Sequence, residues 1–123
     1  MTWTIFDKPD CTDCEKGNAW LKNHGIRVHK VNVFAVSKEQ ISLWAELSEN
    51  GAVDLMDQEQ KSNTVYQTKI HNQALSDHDI VAILADHPEL IRTPVITNHE
   101  QIIIGYQSDK MKSTFRFVKI RTL

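Results

Sequence analysis

Two cysteines, Cys11 and Cys14, are the residues of this sequence whose type and spacing best suit chemistry. They are the only cysteines among 123 residues and stand three positions apart in the stretch PDCTDCEK. A pair at this spacing can form half of a metal site, cycle between a dithiol and a disulfide, or consist of two unrelated buried thiols. A structural zinc site needs four ligands, and the six histidines show no spacing that would complete one. A redox pair that uses no metal and no cofactor is therefore favoured.

The position of the pair relative to a helix decides whether it can form a disulfide. Two cysteines three apart inside a regular helix have Cβ atoms roughly 5 to 6 Å apart, whereas a disulfide needs about 3.8 Å. The bridge closes if Cys11 lies just before the helix and Cys14 lies in its first turn, where the free N–H groups also favour a Cys11 thiolate. Nearby acids oppose that thiolate and nearby lysines support it: Asp10, Asp13, Glu15, Lys8 and Lys16. We therefore expect only modest activation of Cys11.

The N-terminal part of the chain is predicted to form a strand, a helix and a second strand. Residues 3–6 are β-prone, a helix with Asp10 as its N-cap ends before Gly25, and residues 27–33 form the next strand. The two strands of such a βαβ unit run parallel. The buried side of the helix is expected to carry Ala19, Trp20 and Leu21.

Helices are predicted for the middle of the chain, followed by a hairpin and a last helix. The predicted elements are helices over about 37–51, 63–71 and 76–87, strands over 94–97 and 101–105, and a helix over about 108–117. Pro94 enters the first hairpin strand, so the Thr93–Pro94 bond is either cis or an ordinary trans bond at a strand edge. The whole pattern predicts one α/β domain over residues 1–123, with a helical insertion at about 37–90.

The composition is ordinary for a soluble globular protein, with 41% hydrophobic and 24% charged residues. No apolar run approaches about 20 residues and no basic-then-apolar segment opens the chain, so we expect a cytoplasmic protein that does not bind membranes. The charges are segregated: residues 39–60 hold six acids and no Lys or Arg, whereas five bases and one acid follow Gln107. Such segregation either guides docking to a charged partner or reflects two solvated helix faces.

Several segments, taken in order, resemble the arsenate-reductase-like (ArsC) branch of the thioredoxin superfamily, and within it the Spx regulators. The segments are CTDCEKGNAWLKNHGI, NVF, SENGAVDLMD, KSNTVYQ, HPELIRTPVIT and IIIGYQSDKM. The resemblance implies a thioredoxin-like fold and a Cys11–Cys14 disulfide that acts as a switch. It also implies binding to the C-terminal domain of the RNA polymerase α subunit, with Gly51 at the contact. A protease adaptor is a further implied partner, and sequence-specific DNA binding by the protein alone is not expected.

Gly51 has a second interpretation that does not involve a partner. A glycine just past a helix commonly caps it in the left-handed conformation. The sequence leaves both roles open.

The chain departs from the resembled pattern next to Pro94. Where the family usually carries a second arginine before the proline, this sequence has Thr93, so a permanent cation and a bidentate anion donor are absent there. Arg92, Thr93 and Pro94 are the residues expected to bind an anion or to lie beside the switch. An enzyme is the alternative to a regulator: an arsenate-reductase-like or glutaredoxin-like thiol oxidoreductase, with Cys11 as nucleophile and Cys14 resolving the intermediate. A partner-binding domain whose cysteines have no function is a third hypothesis.

Overall fold

The structure is a computed structural model that describes residues 2–57 and 74–121, with side chains described as far as Phe115. The predicted helix over 63–71 lies outside the described residues. The chain divides into two compact units, and the second, Val33–Arg92, is inserted into the sequence of the first. Among the described residues, no helix has the length and apolar character needed to cross a membrane.

The first unit is built on a mixed sheet of four described strands in the order β2-β1-β3-β4. The strands are β1 (Trp3–Asp7), β2 (Val28–Asn32), β3 (Val95–Thr97) and β4 (Ile102–Ile104). The central strand β1 pairs parallel with β2, as the βαβ pattern predicts, and antiparallel with β3. In this register Phe6 lies opposite Val95. The end of β1 that leads to the cysteines therefore lies beside the start of β3.

The predicted hairpin between β3 and β4 is confirmed. Val95 pairs with Ile104, and the turn between the strands places His99 at φ +76°. The side-chain oxygen of Asn98 accepts hydrogen bonds from the backbone N–H groups of Glu100 and Gln101, at 3.0 and 2.9 Å. An Asn side chain that satisfies the next backbone donors is a common turn former, which explains why the chain reverses at NHE.

Two described helices accompany this sheet, α1 (Thr12–Asn23) and α4 (Ser108–Arg121). The core of the unit includes a cluster of buried side chains formed by Ile5, Leu21, Ile26, Ile96, Ile103, Met111 and Phe115. The prediction that Ala19 is buried is wrong, because the buried face of α1 runs through Cys14, Gly17 and Leu21 at spacings of three and four. Trp20 is partly buried, and its ring lies 5.9 Å from that of Phe115 and stacks on His24 at 3.8 Å.

The second unit contains α2 (Lys38–Leu47), α3 (Asp77–Asp86) and the 3₁₀ helices Val33–Ala35, Gly51–Leu55 and Pro88–Leu90. Both predicted helix starts are confirmed as capping boxes, formed by Ser37 with Gln40 and by Ser76 with Asp79. The backbone and then the side-chain hydrogen bond with Ser76 lower the pKa of the exposed Asp79 carboxyl.

The predicted end of α2 needs correction. The helix ends at Leu47 rather than near Gly51, and the hydroxyl of Ser48 donates to the carbonyl of Trp44 at 2.6 Å. Ser48, the C-cap, already has extended backbone angles. Gly51 has φ +82° but begins the 3₁₀ helix Gly51–Leu55, so it is not the residue that caps α2.

Candidate redox site

Cys11 and Cys14 form a disulfide at the start of α1, with a Cα–Cα distance of 5.2 Å. Cys11 is the N-cap, with extended backbone angles of φ −113° and ψ 103°, so its side chain belongs to the loop while Cys14 belongs to the first turn. This is the arrangement that permits the bridge. The prediction of Asp10 as the N-cap is wrong by one residue: Asp10 has φ +57°, a left-handed conformation that Asp tolerates in turns.

The Cys11 sulfur lies among hydrogen-bond donors. The backbone N–H of Cys14 donates to Cys11 Sγ at 3.1 Å, which makes the sulfur the capping acceptor of α1. The Thr93 hydroxyl oxygen lies 3.3 Å from the same sulfur. Because a disulfide sulfur carries no proton, the hydroxyl is the donor in this contact. The carbonyl oxygen of Thr93 lies 3.8 Å from the sulfur.

A close approach between α1 and Pro94 brings Thr93 to this position. A Cβ atom added to Gly17 would lie 3.3 Å from Cγ of Pro94 and 3.7 Å from Cδ1 of Ile5. The Thr93–Pro94 bond is cis, the first of the two predicted possibilities, and the carbonyl of Pro94 accepts from the N–H of Gly105 at 2.8 Å. Gly17 therefore has a packing role that its position in a helix does not reveal.

The two cysteine residues differ in their exposure. Cys14 is 3% exposed, whereas Cys11 is partly exposed. The first turn is also tied to β1, because the Asn18 carboxamide donates to the Cys14 carbonyl at 3.0 Å and to Asp7 Oδ2 at 3.4 Å. The same Asp7 oxygen lies 3.7 Å from Lys30 Nζ. These contacts fix the backbone that carries Cys14.

The charges around the pair lie mostly in solvent. Asp10, Asp13, Glu15 and Lys16 are exposed, so their influence on the sulfurs is screened. No cluster of three or more His, Cys, Asp or Glu suited to a metal ion occurs in the described part of the chain.

The other expected site residues lie in the second unit. The Arg92 side chain is exposed, and its backbone N–H donates to the carbonyl of Leu55 at 2.7 Å. Gly51 is partly exposed, and a Cβ atom added to it would lie 2.5 Å from Oδ2 of Asp77. The capping pattern at Ser76 predicts where α3 begins but not that its first residue, Asp77, covers Gly51. The contact between Asp77 and Gly51 was not predicted from the sequence.

Comparison with known proteins agrees with these features. The family described as ArsC matches residues 6–114. The chain belongs to the ArsC family. Among curated relatives of this ArsC-family protein, those named global transcriptional regulator Spx include one from Staphylococcus saprophyticus, 30% identical over 97% of this chain and 90% of the relative. The relative of the same name from Staphylococcus aureus is 29% identical over the same shares. The resemblance drawn from the sequence is confirmed.

Solved structures show the same fold as this ArsC-family protein. An ArsC-family-related protein from Bacteroides fragilis has a TM-score of 0.80 at 19% identity, with 92% of this chain and 98% of that one covered. An arsenate reductase from Vibrio cholerae has a TM-score of 0.77 at 24% identity, with 92% and 97% covered. The predicted thioredoxin-like α/β fold is confirmed.

Proposed function

We propose that this protein is a redox-responsive transcription regulator of the Spx type. In this proposal it binds the C-terminal domain of the RNA polymerase α subunit and is switched by the Cys11–Cys14 disulfide. The observation that carries the proposal is the disulfide itself, formed by the only two cysteines at the N-cap and in the first turn of one helix. The similarity to relatives named global transcriptional regulator Spx supports the regulatory role.

The switch is a two-electron reaction. When hydrogen peroxide is the oxidant, the two thiols give up two electrons and two protons, the O–O bond breaks, and two water molecules leave as the S–S bond forms. The disulfide ties the Cys14 side chain to the N-cap, whereas reduction frees that side chain. The first turn of α1 is thus the element that we expect to change between the two states.

We place the partner contact at Gly51, following the resemblance. The charges support this placement: Glu49 is exposed and Asp54 is partly exposed beside the glycine, and Asp77 covers its Cα. Asp54 is engaged locally, because its carboxylate accepts hydrogen bonds from the backbone and side chain of Asn50. An acidic surface of this kind suits a basic patch on the partner. A polymerase partner implies a cytoplasmic protein, and a protease adaptor is a second expected partner.

An enzyme remains the second candidate, and one observation favours it. The Cys11 sulfur accepts a hydrogen bond from the backbone N–H of Cys14, with 3.1 Å between nitrogen and sulfur. This arrangement stabilises a nucleophilic thiolate. A glutaredoxin-like or arsenate-reductase-like oxidoreductase would use it. The uncharged Thr93 beside the sulfur favours the regulator, because an oxyanion site needs a cation.

The proposed function is tested by binding to the purified C-terminal domain of the α subunit. The experiment uses the full chain in dithiothreitol and after peroxide treatment, together with Cys11→Ser and Cys14→Ser, which cannot form the bridge. We expect the affinity of the wild type to differ at least about fivefold between the two states, and both serine variants to bind equally in the two. No binding in either state would contradict the partner. Equal binding would contradict the switch.

A further inference from the structure

Thr93 is a buried polar residue in direct contact with the redox pair. It is 6% exposed, and its hydroxyl oxygen lies 3.3 Å from Cys11 Sγ. We propose that Thr93 is a positioning residue whose hydroxyl donates a hydrogen bond to the reduced Cys11 sulfur and so sets how readily the disulfide is reduced. The inference rests on the redox part of the proposed function and not on polymerase binding.

The direction of the effect follows from the charge on the sulfur. In the oxidised state the hydroxyl donates to a neutral sulfur, whereas a thiolate carries a full negative charge. Hydrogen bonds to ionised acceptors are roughly twice as strong as neutral ones. The low exposure of Thr93 also excludes water that would otherwise replace the hydroxyl. The hydroxyl therefore stabilises the reduced thiolate more than the disulfide.

The other groups around the Cys11 sulfur stay the same when only the side chain at position 93 is changed. A protonated Cys11 thiol can donate to the carbonyl oxygen of Thr93 at 3.8 Å, but every substitution of the Thr93 side chain keeps this carbonyl. The backbone N–H of Cys14 is also kept. The charged side chains nearest to the pair in sequence are the same in all variants: Lys8, Asp10, Asp13, Glu15 and Lys16.

Two matched pairs of residues at position 93 separate the hydroxyl from packing. Thr93→Val keeps the shape of the side chain and removes the hydroxyl, whereas Thr93→Ser keeps the hydroxyl and removes the methyl group. Thr93→Ala compared with Thr93→Ser tests the hydroxyl again in a smaller side chain. If only packing mattered, Thr93→Ser would have the larger effect and Thr93→Val the smaller. The hydrogen bond predicts a larger effect for Thr93→Val and a smaller effect for Thr93→Ser. The comparison of Thr with Val and the comparison of Ser with Ala each test the hydroxyl, so one comparison remains if a variant fails to fold.

The first measurement is the pH profile of iodoacetamide alkylation in a Cys14→Ser background, where Cys11 is the only thiol. We expect the midpoint of the profile to rise by about one pH unit on replacement of Thr93 by Val, because a charge-assisted hydrogen bond to the thiolate is lost. Replacement by Ser should leave the midpoint near that of Thr. An unchanged midpoint with Val, or a larger shift with Ser than with Val, would overturn the proposal.

The second measurement is the equilibrium with dithiothreitol, which gives two electrons and two protons to the disulfide and closes into its own cyclic disulfide. At a pH above the midpoint, we expect Thr93→Val to lower the equilibrium constant for reduction about tenfold, or about 30 mV for two electrons. An unchanged constant contradicts the proposal. If dithiothreitol cannot reduce the wild type, the redox part of the proposed function fails. The alkylation experiment still tests the hydrogen bond in that case.

Discussion

Gly17 of α1 lies against Pro94 so closely that an added Cβ would be 3.3 Å from the proline Cγ. The two residues are 77 positions apart in the chain, and Pro94 directly follows Thr93, whose hydroxyl oxygen lies 3.3 Å from the Cys11 sulfur. A methyl group at position 17 would therefore require Pro94 to shift by a few tenths of an ångström.

We expect Gly17→Val to destabilise the protein by about 2 to 3 kcal/mol, because a branched side chain must displace both Pro94 and Ile5. Gly17→Ala should stay within about 1 kcal/mol of the wild type, since the gain in helix propensity offsets the tight contact. Urea unfolding measures both changes. Ala19→Val is the matched control: it lies exposed on the same helix and should show only the small propensity cost. Equal losses at positions 17 and 19 would contradict the packing argument.

We expect mild oxidant to remove both free thiols from the reduced monomer without forming a covalent dimer. The reason is the 5.2 Å separation of the two Cα atoms, which lets the bridge form within one chain. Thiol titration and a non-reducing gel measure the outcome. Cys14→Ser supplies the control, since its remaining thiol has no intramolecular partner. Two thiols still titratable after oxidation, or a wild-type dimer, would speak against the switch.

We expect arsenate reduction to be absent or negligible with either glutathione or thioredoxin as donor. Thr93 offers a hydroxyl where an oxyanion needs a cation, and the lost charge-assisted hydrogen bond is worth about 1.5 to 3 kcal/mol. Turnover assays of the wild type and of Thr93→Arg test the point. Substantial wild-type turnover would support the enzyme instead, and a gain of activity in Thr93→Arg would show that only the cation is missing.

We expect Gly51→Arg to abolish binding to the α subunit while costing about 1 to 2 kcal/mol of stability, the strain of a left-handed non-glycine residue. Gly51→Asn also carries a Cβ that must move the Asp77 carboxylate, but it tolerates the conformation and adds no charge. It should keep more binding than Gly51→Arg.

A second control tests whether backbone strain and added charge alone would abolish binding, wherever in the chain they are introduced. Gly25 has φ +68° and no atom within 4 Å of an added Cβ, so Gly25→Arg carries the same strain and charge in the other unit. It should bind the α subunit normally. Binding by the wild type should weaken as salt rises. Normal binding by Gly51→Arg would show that this surface is not the contact.

Local patterns allowed much of the fold to be predicted. The βαβ unit, the capping box at Ser37, the helix start at Ser76 and the NHE hairpin turn were predicted from residues close together in the sequence, and the structure confirms them. The bridging of Cys11 and Cys14 also follows from local geometry. On α1, Leu21 is buried as predicted, but Ala19 was wrongly assigned to the same face, where Gly17 packs closely against Pro94 instead.

Contacts between distant residues could not be predicted in this way. Thr93 stands 82 positions from Cys11, and no local pattern indicates that its hydroxyl reaches the sulfur. The same holds for Asp77 over Gly51, since a cap fixes the start of a helix but not what the helix start touches. Such contacts depend on how helices and strands pack against each other. The spacing of residues along the chain does not predict this packing.

The insertion of residues 33–92 between β2 and β3 has a consequence for the order in which the site is made. The ribosome finishes both cysteines and the first two strands before it has added Thr93. At roughly 5 to 20 residues per second, several seconds pass between Asn32 and Gly105. For most of that interval the two thiols belong to a chain that still lacks Thr93 and the strands β3 and β4. The proposed hydrogen bond from Thr93 to the Cys11 sulfur can therefore form only late in synthesis. A nascent chain and a full-length chain should then respond differently to the same oxidant.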